Sequence, residues 1–359
     1  MTVLATYLTR LLLARFALLL LGLTAFLLGL DLMVNANSLL QADGVAALGR
    51  YAFLRTPVVV SDLIKIASLL AGLLTFAGLI RHGELTAIWG SGVSQFGLFV
   101  RLLPAAVLLG GIQFVVDDRA VPASVDALTE WGVGDYEKRR AASNSKKVTW
   151  IHVGHDIMRV PTANIGDASL SDFTVFQRDA QGNLLARLDV ASARYADGAW
   201  QLSNIVITGG EGHSPSHEAA REWRISLDPE SFSRLSAHPR NLSFDQTRRF
   251  AGGDGQGTWA PYLYQTWLYE KLAACLVPLL MLLLTAALAQ QTQRSGHLEL
   301  LFLFGAVIGF AFFIFNGVTL AMGEVGLLPP LFASTVPLIA FTALAGSVIY
   351  WHELKRRHA

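Results

Sequence analysis

Charge and sulfur are both scarce in this chain. Of 359 residues only 15% are charged, and Lys and Arg exceed Asp and Glu by a single unit. The strongly basic surface that a nucleic-acid binder needs is therefore excluded. The one cysteine, Cys275, can form neither an intramolecular disulfide nor a thiolate cluster by itself, and in its apolar run it reads as a small packed hydrophobe. No GxxxxGK(S/T) phosphate-binding loop occurs, so ATP hydrolysis by a P-loop of this chain is excluded. No Ser/His/Asp or Cys/His set can be assembled at one plausible site, and covalent catalysis is not indicated. Arg10 and Arg15 precede the first apolar run as they would in a signal peptide, but no small-residue cleavage site closes it. The run reads as a retained span. Internal repeats are absent too.

Apolar sequence fills the space that charge leaves. Hydrophobic residues make up 53% of the chain, which places it in the membrane class. About 20 apolar residues carry a helix across a hydrocarbon core, where every backbone polar group must be satisfied within the segment. Six stretches qualify: 11–34, 58–80, 96–116, 262–289, 298–320 and 327–351. Between the third and fourth, composition turns charged and strand-like. Three segments follow: 1–118 with helices 1 to 3 and a connector helix at about 82–95, an inserted domain at 119–261, and 262–359 with helices 4 to 6. Arg10, Arg15, Arg81, Arg101, Arg294, Lys355, Arg356 and Arg357 fall at one face, which the positive-inside rule assigns to the cytoplasm. Both termini then lie in the cytoplasm and the inserted domain outside it.

The insert reads as all β. Val148 to Val153 and Asp156 to Val160 flank the turn residues Gly154 and His155, a hairpin pattern. Leu184, Ala186, Leu188 and Val190 alternate with Leu185, Arg187 and Asp189, giving one face that can be buried. Asp197 and Gly198 supply a turn before Trp200 to Thr208, while 209–217 and 252–257 read as loops. Short strands without helical pattern between them predict a sandwich or jelly roll.

A few residues carry chemical interest. In the connector, Glu84 opens a short amphipathic helix broken by Gly90 and Gly92; such a helix can dock a partner, or Glu84 can simply stabilise a helix N-terminus in a solvated link. Lys65 sits about 10 to 12 Å into the second span at 1.5 Å per residue, where a lysine is a functional candidate by default. Asp62, three residues earlier, is its expected partner on the same face. Arg50, Arg55 and Lys271 are expected at the outer rim, for phosphate contacts or for snorkelling to lipid headgroups. Glu324 and Asn316 can line a path through the helices, or cap and bond between them. His152 and His155 stand three apart, but a strand-turn-strand segment would not converge them and no third ligand presents itself, so no metal is expected.

Several motifs in fixed order resemble one family. Glu84, Leu85, Thr86 and Ala87, followed by Gly92, Val93 and Ser94 directly after a second span, look like the cytoplasmic coupling motif of the LptF/LptG lipopolysaccharide-export permeases. Val148 to Trp150, Phe173 to Phe176, Tyr195 to Leu202 and Trp223 to Pro229 resemble strands of that family's periplasmic jelly roll. Pro278 to Met281 resembles a motif of its fourth span, and Gly326 to Pro330 the turn before its last. The likeness covers essentially the whole chain and is nearer to LptG, through the Trp200 to Leu202 strand and the Gly326 to Pro330 turn.

The resemblance implies a permease subunit of the bacterial inner membrane, paired with a paralogous permease and served by a cytoplasmic ATPase dimer that uses ATP and Mg, this chain binding no cofactor itself. The complex would extract lipopolysaccharide and pass it to a periplasmic jelly-roll bridge protein. A membrane scaffold and an ion-coupled transporter without an ATPase remain the alternative functions, although few buried acids or broken helices argue for the latter. By carry-over, Glu84, Leu85, Gly92 and Ser94 would couple to the ATPase, with Glu84 meeting a basic residue there. The family's gate, on helices 1, 2 and 5, would place Leu20, Leu23, Leu27, Phe310, Phe313 and Ile314 against acyl chains, where plain lipid contact is the alternative. Two features depart from the pattern. Relatives carry a basic residue late in helix 1, where this chain has Asp31 to Asn35 and no Lys or Arg from Phe16 to Gly49. Many also carry a proline in helix 2, where this chain has Lys65, which can serve as a displaced headgroup contact.

Overall fold

The computed structural model describes residues 2–133, 136, 148–161, 164, 168–179, 181–209, 215–223, 238–252, 257–295 and 298–357. The strand-like stretch 224–229 and the loop segments 210–214 and 253–256 lie outside the described residues, as do the side chains of Arg294, Lys355, Arg356 and Arg357. Two compact units emerge: residues 1–127 with 269–359, and residues 128–268.

The first unit is helical. Its long elements are α1 (Thr2–Asp43), α2 (Val45–Arg81) and α4 (Gln95–Val115), with the short α3 (Glu84–Gly90) between α2 and α4. One turn of π-helix at Val116–Ala120 joins α4 to α5 (Val121–Trp131). The helices outrun the apolar stretches that predict them: the third is continuous over Phe96–Trp131. The predicted fourth span is instead two helices, α7 (Pro261–Ala274) and α8 (Val277–Ser295), bent by 49° at a short break. Pro278 accounts for the break, since its ring removes the N–H that would reach the Ala274 carbonyl and collides with that carbonyl in a straight helix. α9 (Leu298–Glu324) and α10 (Pro330–Arg357) complete the unit. Among the described residues five helices are long and apolar enough to cross a membrane, six with the bent pair as one span.

Packing centres on α2 and α8. α2 touches α1, α4, α8 and α9, and α8 touches α4, α9 and α10. Small residues permit the close approaches. A Cβ at Gly72 would lie 2.6 Å from Thr285 Oγ1, and one at Gly110 would collide with the Cys275 carbonyl at the break in the fourth span. Gly305 and Gly309, one helical turn apart, receive Leu73 and Leu69 of α2.

Among the described residues the second unit carries one six-stranded antiparallel sheet in meander order: β1 (Val148–Val153), β2 (Asp156–Pro161), β3 (Ser169–Arg178), β4 (Leu184–Ala196), β5 (Ala199–Gly209) and β6 (Ser216–Trp223). The predicted mid-chain β domain is present, its described strands forming this single sheet, but helices at Val121–Trp131 and Phe244–Ala251 fall within the stretch 119–261 that the sequence reads as all β. Both predicted two-residue turns close hairpins, at Gly154 and His155 and at Asp197 and Gly198. The second has positive φ at both central residues, the geometry that matches strand twist. A crease crosses the sheet at Asp172, Ala191 and Asn204, where the pairing skips and Asp172 and Asn204 take positive φ. Inward residues change parity there: Leu188 and Val190 are buried on one side, Ala193 on the other. The exposed Leu184 ends the alternation that the sequence predicts from Leu184 to Val190. Buried Trp200, Phe173 and Ile151 share this core with Leu242, Phe250 of α6 (Phe244–Ala251) and Tyr264.

Candidate functional site: a coupling connector and polar ties between helices

Glycines bound the connector. Gly83 (φ 71°) and Gly92 (φ 85°) turn the chain in the left-handed region that a side chain would strain, leaving seven residues of α3 between them. Leu85 and Ile88, three apart, are buried with Leu8 of α1, Leu79 of α2 and Leu98 of α4, while Thr86 and Ala87 face outward. Glu84 lies in the first turn of α3, where the helix dipole favours an acid. Its Oε2 accepts a hydrogen bond from the Tyr7 hydroxyl at 2.9 Å. Ser94 caps α4, its hydroxyl accepting from the Gly97 N–H at 2.9 Å. The four sequence-derived connector residues thus have separate local tasks: Glu84 presents a carboxylate, Leu85 anchors, Gly92 turns and Ser94 caps.

The basic residues expected at the rim part company. Arg50 is exposed on α2. Arg55 pairs with Asp31 of α1 through Nε to Oδ2 at 3.0 Å, and Tyr51 donates to the same oxygen at 3.1 Å. Asn35 joins the group, donating to Asp31 Oδ1 at 3.3 Å. The departure late in helix 1 therefore has a local complement: the acid on α1 faces a base on α2. Lys271 is buried, and its ammonium donates to the Asp117 carbonyl at 3.2 Å in the π-helical turn. Asp117 further accepts from the Ser61 hydroxyl and from Gln113 Nε2, the latter at 2.6 Å.

Lys65 does form an ion pair, and its acid is Glu270, 205 positions away, at 3.5 Å; the sequence points to Asp62. Asn316 of α9 approaches the same Glu270 oxygen at 3.5 Å, so one buried acid links three helices. This helix-helix bonding is the plainer of the two expectations for Asn316. Glu324 ends α9.

Apolar candidates line two outer helices. On α1, Leu27 is exposed and Leu20 and Leu23 half-buried; on α9, Phe310 and Ile314 are exposed, while Phe313 leans on Phe312 and the core around it. In the sheet unit, His152 lies on β1 and exchanges backbone hydrogen bonds with Gly257. Burial pushes its pKa down, and Arg178 adds to the shift. His155 occupies the hairpin turn, where its carbonyl accepts from Arg178 Nε. Among the described residues no group of three or more His, Cys, Asp or Glu is placed to hold a metal.

Sequence reasoning missed Tyr7, Glu270, Asp117 and Gln113, whose partners lie far off in the chain. It also missed the Gly305 and Gly309 pair, whose four-residue spacing in an apolar helix was a visible signal. Comparison with known proteins agrees with the motifs. Residues 6–351 match the family model described as lipopolysaccharide export system permease LptF/LptG. The lipopolysaccharide export system permease protein LptG of Haemophilus influenzae is 21% identical over 85% of this chain and 84% of its own length. Its Escherichia coli counterpart is 21% identical, covering 82% of each. With a multi-pass helical unit, a β insert and a family match over nearly its whole length, this chain belongs to the LptF/LptG family of inner-membrane lipopolysaccharide export permeases.

Proposed function

We propose that this chain is the LptG-like half of an ATP-driven exporter, pairing with a paralogous permease and taking its power stroke from a separate cytoplasmic ATPase dimer. The observation that carries this reading is the connector. A helix too short to be stable by itself packs against α2, buries Leu85 and Ile88 in the core that also holds residues of α1 and α4, and holds Glu84 at its edge. Force applied at Glu84 by a basic group on the ATPase would pass into α2 through this packing and into α1 through Tyr7, because a packed core transmits strain. The Tyr7 to Glu84 hydrogen bond supports placing the N-terminus at the same membrane face as the connector, which the basic residues assign to the cytoplasm.

The exposed apolar faces of α1 and α9 suit acyl chains, and the Arg55 and Asp31 pair suits the meeting point with phosphorylated headgroups. Phosphate would compete with Asp31 for the guanidinium. Among the described residues β6 pairs with β5 alone, and its other edge is where strand addition by a periplasmic bridge protein would take place. Lipopolysaccharide would thus enter between two permeases and leave along the β domain.

ATP-dependent release of labelled lipopolysaccharide from proteoliposomes holding this chain, its paralogue and the ATPase tests the coupling. We expect Glu84→Ala to lower release at least tenfold with the complex intact. Undiminished release by that variant would remove Glu84 from the coupling path.

A further inference from the structure

The Glu84 carboxylate does not stand by itself at the edge of the connector. Its Oε2 is held at 2.9 Å by the hydroxyl of Tyr7, a residue 77 positions earlier on a different helix. Tyr7 is 44% exposed, so most of its ring adds little to the core, whereas the next residue, Leu8, is fully buried in the same apolar cluster as Leu85. Two adjacent residues of α1 and two of the connector thus answer each other: Tyr7 bonds to Glu84, and Leu8 and Leu85 are buried in one apolar cluster. Farther along α1, Arg15 donates to the Leu74 carbonyl of α2, fixing the same end of α1 a second time.

From this geometry we infer that Tyr7 is a positioning residue for coupling: it holds the Glu84 carboxylate in one rotamer, leaves Oε1 for a basic partner, and ties the connector to α1. A glutamate on a surface helix otherwise samples several rotamers, and docking must freeze them; a carboxylate already held loses less entropy on binding. Tyrosine suits the task because its hydroxyl sits on a ring with two side-chain torsions, a stiff arm compared with Lys or Gln. Glu84 keeps enough acceptor sites for both contacts, since an ionised carboxylate accepts about four hydrogen bonds. The contact also gives the stroke a direct route into α1, the helix with an exposed apolar face. This inference rests on the coupling role proposed for Glu84.

The test is the affinity of the ATPase for the two-permease complex in lipid nanodiscs, measured for wild type, Tyr7→Phe, Glu84→Ala and the double variant. Tyr7→Phe removes one oxygen and keeps the ring. We expect it to weaken binding about threefold to tenfold, the range that one exposed hydrogen bond is worth, and Glu84→Ala to weaken it more. The double variant should match Glu84→Ala, because a residue acting through Glu84 has nothing left to position. Wild-type affinity in Tyr7→Phe, with Glu84→Ala impaired, would overturn the inference and leave the coupling role standing. The same holds for a double variant weaker than Glu84→Ala by the full Tyr7→Phe factor, which would place the Tyr7 effect elsewhere. Unchanged affinity in Glu84→Ala would overturn both.

Discussion

The inner helix α2 and the outer helices α1 and α9 are similarly apolar in sequence, yet they are buried to very different degrees. In its most apolar window 67% of α2 is buried within the bundle, against 17% for α1 and 22% for α9. Hydropathy reports fitness to cross a bilayer, and lipid tails are as apolar as leucine, so it cannot sort inside from outside. What sorts them is the sparse set of small and polar residues. α2 presents Gly72 to Thr285 and Lys65 to Glu270, and its Leu69 and Leu73 seat on glycines of α9. The outward faces of α1 and α9 offer Leu18, Leu21, Phe310 and Val307. The inner helix is specified for one neighbour set, and the outer faces remain available to lipid, substrate or a second permease.

That contrast can be broken from the inside first. Glu270→Leu strands Lys65 in the bundle and should cost about 3 kcal/mol, the scale of breaking a buried pair, read as a fall in melting temperature in detergent. Adding Lys65→Met should recover much of that loss, and an unchanged melting temperature in the single variant would mean the pair is not a tie. Next, Gly110→Ala pushes a methyl group at the Cys275 carbonyl, a backbone atom that cannot rotate away, and should cost about 1–3 kcal/mol by overpacking. On the outside, Phe310→Ala should stay within about 0.5 kcal/mol of wild type, since Phe310 is 68% exposed, while lowering lipopolysaccharide release. Wild-type release would remove Phe310 from the substrate path.

The smallest effect concerns pH and the sheet. His152 has its pKa lowered by burial, so the folded chain favours the neutral ring. Its contribution is present above the ordinary histidine value of about 6.5 and is lost as pH falls below it, where the unfolded chain takes up the proton more readily. A small fall in the sheet unit's stability between neutral and mildly acidic pH should therefore flatten in His152→Gln, followed by hydrogen exchange of β1 amides.

Much of the fold was legible because the relevant signals are local. Apolar runs mark the spans, and Asp197 with Gly198 marks a turn that needs positive φ. The break in the fourth span was within reach, because Pro278 sits in the middle of the run, but length and hydropathy favour a single helix. The crease in the sheet was not legible. Leu184 to Val190 alternate convincingly, and nothing local announces that inward parity changes at Ala191 or that the leading leucine faces solvent. The candidate site divides in the same way. Glu84, Gly92 and Ser94 form a contiguous motif, whereas Lys65 with Glu270, and Tyr7 with Glu84, are matched only by folding. Helical spacing nominated Asp62 for Lys65 because a sequence displays only neighbours on the same helix.

The most direct measurement is reconstitution with single omissions: ATP-dependent release of labelled lipopolysaccharide from proteoliposomes carrying both permeases and the ATPase, compared with vesicles lacking this chain. We expect release to require this chain and ATP hydrolysis together. Equal release without the chain, or release that persists when ATP cannot be hydrolysed, would contradict its assignment as the transport half of an ATP-driven exporter.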